Sequence, residues 1–174
     1  MKLVICEKPS VGAAVAAALG VTGKKDGYIE NDKYIISWCI GHLVQLSEAA
    51  AYGEQYRKWS YDSLPILPQE WQYSVAADKG KQFKILKDLM HRADVSEVVN
   101  ACDAGREGEL IFRFVYHQAG CKKPFTRLWI SSMETDAIRS GFEHLKDGRG
   151  YDTLYHSAPV SYTHLRAHET EADL

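Results

Sequence analysis

A chain of 174 residues with 45% hydrophobic and 25% charged residues has the make-up of one globular domain, with room for a fragment of a second, and is not a disordered chain. Its 21 Lys+Arg against 23 Asp+Glu leave a net charge of −2, so any nucleic-acid surface must be a local patch. The four cysteines (Cys6, Cys39, Cys102, Cys121) form no CxxC pair, which fits buried thiols in a reducing compartment better than zinc, and no apolar run approaches the roughly 20 residues that span a bilayer.

Leu3-Val4-Ile5-Cys6 reads as a buried strand that ends on an acid, Glu7. The stretch ahead of Glu7 is too short for a signal peptide, so a cytoplasmic location is expected. Lys8-Pro9-Ser10 leads into an alanine-rich helix over residues 11–19, with Ser10 expected to cap it and Gly20 to end it. Residues 34–40 read as a strand, paired with Tyr28-Ile29-Glu30 across the Asn31-Asp32 turn. Residues 51–75 are rich in Tyr, Trp and Pro without a clean period. They read as a long ordered excursion over an edge of the core, and their aromatics fit packing better than stacking on bases. Residues 78–91 are helical, with Phe83, Leu86 and Met90 on one face and Lys81, Lys84 and Lys87 along another. Such a lysine stripe is a solvated face first and a phosphate contact second.

The central stretch is Val98-Val99-Asn100-Ala101-Cys102 followed by Asp103-Ala104-Gly105-Arg106-Glu107-Gly108-Glu109. The apolar run predicts a buried strand, and Leu110, Ile111, Phe114 and Val115 then recur at helical spacing. Acids fall in the first helical turn, where the helix dipole favours them, and Glu109 is expected on the helix surface. Residues 127–131 predict a third buried strand. Ser131 and Glu134 make a capping-box signature for a helix to about Leu145, with Ala137, Ile138, Gly141, Phe142 and Leu145 on its apolar face. Residues 148–150 read as a turn and 151–158 as the start of a further helix.

Three strand–turn–helix units in succession predict a parallel sheet with helices on its faces. Glu7 and Asp103 then leave their strands at the same edge, where ligands of open α/β sheets bind, and Glu107 sits about one helical turn beyond Asp103. Gly105 and Gly108 are expected to let the backbone approach a ligand. Carboxylates aimed at one spot need a cation between them, and Mg²⁺ takes such oxygens. GxGxxG and HExxH are absent, and residues 20–25 have the wrong spacing for a P-loop, so no nucleotide cofactor is expected. A Glu7-Lys8 pair with an Asp103…Glu107 pair suits phosphoryl-transfer chemistry, with a metal on the carboxylates, a lysine for a phosphate oxygen and one carboxyl free to move a proton. Each acid alone reads as a strand-end or helix-end charge; gathered at one edge they favour a site.

Glu7-Lys8-Pro9-Ser10 after an N-terminal strand, together with Asp103 to Glu109 after another, resembles the Toprim domain. More narrowly, it resembles the N-terminal part of bacterial type IA DNA topoisomerases of the topoisomerase III kind. Gly41-His42-Leu43, Leu64-Pro65-Ile66-Leu67-Pro68 and the run from Arg127-Leu128-Trp129-Ile130-Ser131 to Ile138 add to the resemblance, which covers residues 1–158. It implies an α/β, Rossmann-like Toprim fold over residues 1–150, a parallel sheet with helices on both faces, and the start of the next topoisomerase domain at 151–158. It also implies an isomerase that cuts one DNA strand through a tyrosyl–phosphate link, passes another strand and reseals. Its partners would be Mg²⁺, single-stranded DNA and the remaining topoisomerase domains, with no membrane.

Carried over by residue, the resemblance makes Glu7 an acid/base for the 3′-hydroxyl and a metal neighbour, and Lys8 the lysine that steadies the scissile phosphate. Asp103 and Glu107 match the first and last acids of the family's Asp-x-Asp-x-Glu pattern and would hold Mg²⁺ with Glu7, while Arg106 would contact DNA. Gly105 stands where the middle acid belongs, so the site has one carboxylate fewer. Residues 159–174 are unlike the family: Pro159 interrupts the helical run, and His164 and His168 lack a third ligand. This tail is expected to be poorly ordered. No tyrosine sits in a stretch resembling the family's nucleophile motif, so the chain alone is expected to be inactive. A stand-alone Toprim nuclease or primase-like protein, and a non-catalytic interaction module, are the competing classes. The stretch 127–138 speaks against the former, and absence of Mg²⁺ binding would favour the latter.

Overall fold

The alternation in β1 (Lys2–Cys6) sends Leu3 and Ile5 to one face of a sheet and Val4 and Cys6 to the other, and all four are fully buried. A strand apolar on both faces is a central strand of a covered sheet. The computed structural model describes residues 1–58, 60, 66 and 70–158. In it, β1 pairs in parallel with β4 (Tyr34–Trp38) on one side and with β7 (Glu97–Ala101) on the other. Between them come α1 (Pro9–Leu19), the hairpin β2 (Gly23–Lys25) and β3 (Tyr28–Glu30), β5 (Val44–Leu46), β6 (Tyr73–Val75) and α2 (Gly80–His91). After β7 follow α3 (Arg106–Gln118), β8 (Phe125–Arg127), α4 (Thr135–Glu143) and β9 (Lys146–Asp147). The seven-stranded sheet runs β2-β3-β4-β1-β7-β8-β9, with β4, β1, β7 and β8 parallel and the outer strands antiparallel.

Helices cover both faces, as the strand–turn–helix pattern predicts. Leu86, Met90, Phe112 and Val115 of α2 and α3 pack on Leu3, Ile5 and Val98, while Val15, Ala16 and Ile138 of α1 and α4 pack on Val4, Ile36 and Val99. Each such aliphatic side chain removed from water stabilises by about 1.5–3 kcal/mol, so both layers are anchored to the central strands and the strand ends are held rigid. The β3–β4 pairing is the expected one, and Asn31 sets its turn by accepting from the Lys33 and Tyr34 amides.

Several local expectations are corrected. Ser10 does not cap α1; the helix starts at Pro9, whose missing N–H costs nothing there, and Lys8 holds the cap position. The expected strand over 127–131 shares only Arg127 with β8. Beyond it the Leu128 amide bonds to the Asn100 carbonyl, and Leu128 and Ile130 turn to meet α4 at Gly141, where a Cβ would come within 2.6 Å and 2.7 Å of them. Ser131 does not cap α4: Glu134 is the cap residue and Ser132 Oγ accepts from its amide. The described residues of the excursion and its approach include the short 3-10 turns Ala49–Tyr52 and Glu54–Tyr56, and then β6, which pairs antiparallel with β5. Residues 148–151 form a 3-10 turn and 152–158 are helical. Leu64, Pro65, Leu67, Pro68 and the tail 159–174 lie outside the described residues.

Candidate functional site

Because Cys6 lies opposite both Trp38 and Ala101, the next residues of β1 and β7 emerge at one edge of the sheet. Glu7 is nearly buried there, and the exposed Lys8 brings Nζ to 3.3 Å from Glu7 Oε1 and 3.9 Å from Asp103 Oδ2. The hydrogen bond to Glu7, then its charge and that of Asp103, raises Lys8 above its ordinary value, so this ammonium stays charged. The structure thus brings together three of the expected site residues. A cation already lies between two carboxylates, which answers their mutual repulsion.

Asp103 and Glu107 stand on the β7–α3 turn with half or more of each side chain in solvent. Glu107 is not beside Lys8's carboxylates. It is held by His42 Nε2, which comes from the loop after β4 and is itself anchored by Lys79 Nζ donating to its carbonyl at 3.0 Å. In the sequence Gly41-His42-Leu43 adds to the resemblance but gives His42 no role. The strand-end rule that marks Glu7 and Asp103 applies equally to β4, which runs parallel to β1 and ends on the same edge, and it points at His42. Arg106 is exposed at the first position of α3.

Two readings of the central turn are overturned. The room that Gly108 provides is filled by the protein itself: a Cβ there would lie 2.2 Å from the Asp103 carbonyl oxygen. Gly105, by contrast, is extended at φ −176 and a Cβ there meets nothing within 4 Å. Glu109 is not on the surface but fully buried. It accepts from Asn100 Nδ2 at 2.9 Å and Arg113 Nε at 2.8 Å, with Arg127 Nε 3.1 Å away. Arg113 also donates to the Gly148 carbonyl and Asp152. Arg106 and Glu107 are exposed, but every residue of α3 from Gly108 to Tyr116 is buried, so the helix is enclosed on all sides where Glu109 stands. Burial pulls Arg127 below the usual guanidinium value, with Cys102 and Glu109 opposing the shift.

Among the described residues no three His, Cys, Asp or Glu side chains are grouped to hold a metal, so Glu7, Asp103 and Glu107 are not a preassembled cage. The donor chemistry still fits Mg²⁺, which keeps several waters and takes one or two carboxylates from protein. The Lys8 ammonium between Glu7 and Asp103 marks where positive charge is favoured. Beside Asp103 a cleft of about 780 Å³ opens, walled by Ala104 and by Trp129 to Met133. The four cysteines are free and buried. Burial, first of all, pushes Cys6 well up, so none of this chemistry falls to its thiolate.

The sequence model of the Toprim domain matches residues 2–133. DNA topoisomerase 3 of Shouchella clausii is 48% identical over 157 residues, and that of Bacillus subtilis 45% over 156. Each match covers 90% of this chain and 22% of the relative, so the chain spans under a quarter of their length. The full-length topoisomerase I of Thermotoga maritima superposes with a TM-score of 0.54 over 83% of this chain and 21% of that one; at 18% identity this shows a shared fold. A parallel sheet delivering Glu7 and Asp103 to one edge, and a family match over residues 2–133, have one conclusion: the chain belongs to the Toprim domain family.

Proposed function

We propose that this chain is the N-terminal Toprim region of a bacterial type IA DNA topoisomerase of the topoisomerase III kind, acting in the cytoplasm on single-stranded DNA with Mg²⁺. The Toprim unit spans residues 1–150, and residues 151–158 begin the next domain. The observation that carries the reading is the Lys8 ammonium within reach of both Glu7 and Asp103 at the ends of adjacent parallel strands. Lys8 can exchange a carboxylate for a phosphate oxygen while keeping its charge. Glu7, nearly buried beside it, is suited to take and return the proton of a 3′-hydroxyl. Asp103 and Glu107 would hold Mg²⁺ with Glu7 as neighbour, and His42 would orient Glu107. When bound, the ion neutralises charge on the phosphate. Arg106, exposed on the same turn, would meet the backbone of the DNA.

The nucleophilic tyrosine is proposed to lie in the part of the relatives that this chain does not span. Within the chain, Tyr116 donates its hydroxyl to the Lys123 carbonyl at 2.7 Å and Tyr155 packs edge-on to Phe114. The test has two arms. Mg²⁺ should raise the melting temperature, and Asp103→Asn or Glu107→Gln should each abolish the rise. Labelled single-stranded DNA with Mg²⁺ should leave no label on the denatured protein. Label that disappears in one Tyr→Phe variant would overturn the assignment of the nucleophile, and a Mg²⁺ response surviving both carboxylate variants would overturn the metal site.

A further inference from the structure

Arg127 is fully buried in the floor of the site, and its bond to Asp103 is made to the backbone carbonyl. Its Nη1 donates to the carbonyls of Asn100 at 3.2 Å, Cys102 at 2.7 Å and Leu128 at 2.9 Å, and its Nη2 to the carbonyl of Asp103 at 2.7 Å. Three of those carbonyls belong to the end of β7 and the turn beyond it. The turn is where the sheet's own ladder stops supplying partners, so its carbonyls need donors from elsewhere. Glu109 balances the buried charge, and Arg113 and Asn100 hold Glu109. Gly108 also presses its Cα against the Asp103 backbone, with no room for a methyl group.

We propose that Arg127 is a positioning residue: its guanidinium, tied to the carbonyls at the end of β7, fixes the backbone of Asp103 and thereby the direction of the Asp103 carboxylate, while Glu109 only balances its charge. The device explains how an exposed carboxylate, whose side-chain contact is with the exposed Lys8 at 3.9 Å, is aimed from its backbone. A lysine cannot reproduce it, because one ammonium cannot span the carbonyls that a planar fork reaches. The consequence for metal binding rests on the reading of Asp103 as a ligand. The consequence for the backbone does not.

The test uses the full chain and two readouts, Mn²⁺ affinity followed by its spin-resonance signal and amide hydrogen exchange across residues 103–107. Arg127→Lys keeps the charge and should weaken Mn²⁺ binding about 10- to 100-fold, the usual cost of losing a partner that orients a ligand. It should also speed exchange at 103–107 while leaving the amides of α1 unchanged. Glu109→Gln removes the counter-ion but leaves the carbonyl tethers, so it should lower the melting temperature with Mn²⁺ affinity within about twofold. A merely structural role would instead make affinity follow stability in both variants, and that pattern overturns the proposal. Should Arg127→Lys fail to fold, Gly108→Ala displaces the same Asp103 carbonyl from the helix side, and unchanged Mn²⁺ affinity there overturns it too. If the parent binds no Mn²⁺ at all, the metal reading falls. The positioning role then stands or falls on exchange at 103–107 alone.

Discussion

The two turns that build the site solve one problem in opposite ways. The β1–α1 turn buries its acid: Glu7 is nearly inaccessible, a neighbouring lysine answers its charge, and the helix begins two residues later on a proline. The β7–α3 turn leaves Asp103 and Glu107 half or more in solvent and holds its backbone instead, through the buried charge of Arg127 and the close approach of Gly108. Burial suits a group that must hold a proton near a fixed partner. Exposure suits groups that share a hydrated cation, provided the backbone beneath them cannot move. The same helix turn makes the point within two residues, since Glu107 is exposed and Glu109 is fully buried.

The comparison is broken most severely at Glu109. Glu109→Ala leaves two buried guanidinium groups facing each other, and removing one partner of a buried ion pair costs about 3–5 kcal/mol. Glu107→Ala removes an exposed group and should stay within about 0.5 kcal/mol. Urea unfolding monitored by circular dichroism measures both. Equal small effects would mean that the Asn100–Glu109–Arg127 cluster is not a tight network.

The glycines give the next largest contrast. Gly108→Ala drives a methyl into the Asp103 carbonyl at 2.2 Å and should destabilise by about 1–3 kcal/mol, the range for forced overpacking. Gly105→Ala enters open space at an extended φ, so its cost is only the preference of an N-cap for Gly over Ala, about 0.5–1 kcal/mol, with no overpacking. The same unfolding experiment ranks them, and a severe loss at Gly105 would show that something fills the space above it.

How much of this was legible in the sequence follows from how local each feature is. The alternation of Leu3-Val4-Ile5-Cys6 and the apolar run before Asp103 marked two central strands, and the acids directly after them marked the working edge. Glu109 looked like a surface acid because its partners, Asn100 and Arg127, reach it from two other strands, and no periodicity records that meeting. His42 follows a strand end, as Glu7 and Asp103 do, but its contact with Glu107 across the sheet edge leaves no trace in periodicity. The pairing of β5 with β6 joins a three-residue segment ahead of the aromatic excursion to another at its end, both too short to show an alternation. Ser10 and Ser131 looked like caps by composition, whereas Pro9 and the Ser132–Glu134 contact decided the helix starts.

The smallest effect on stability sharpens the comparison most. Gly105 occupies the N-cap of α3, where no side chain bonds the first-turn amides, and it stands where the resembled pattern carries a middle acid. Asp is a better cap than Gly by a few tenths of a kcal/mol. A carboxylate placed between Asp103 and Glu107 also meets two like charges, which opposes that gain by a similar amount at exposed positions. In EDTA, Gly105→Asp should therefore melt close to the parent. With Mg²⁺ the balance changes, because the added oxygen faces the same solvent-filled edge and its repulsion becomes attraction to the ion. A tenfold tighter site would add about 1.4 kcal/mol of stabilisation at saturating Mg²⁺. Calorimetric melting with EDTA and with Mg²⁺ separates the two terms. A Mg²⁺-dependent shift no larger than the parent's would place the ion away from residue 105, and would leave Asp103 and Glu107 without the shared cation that their exposure is proposed to serve.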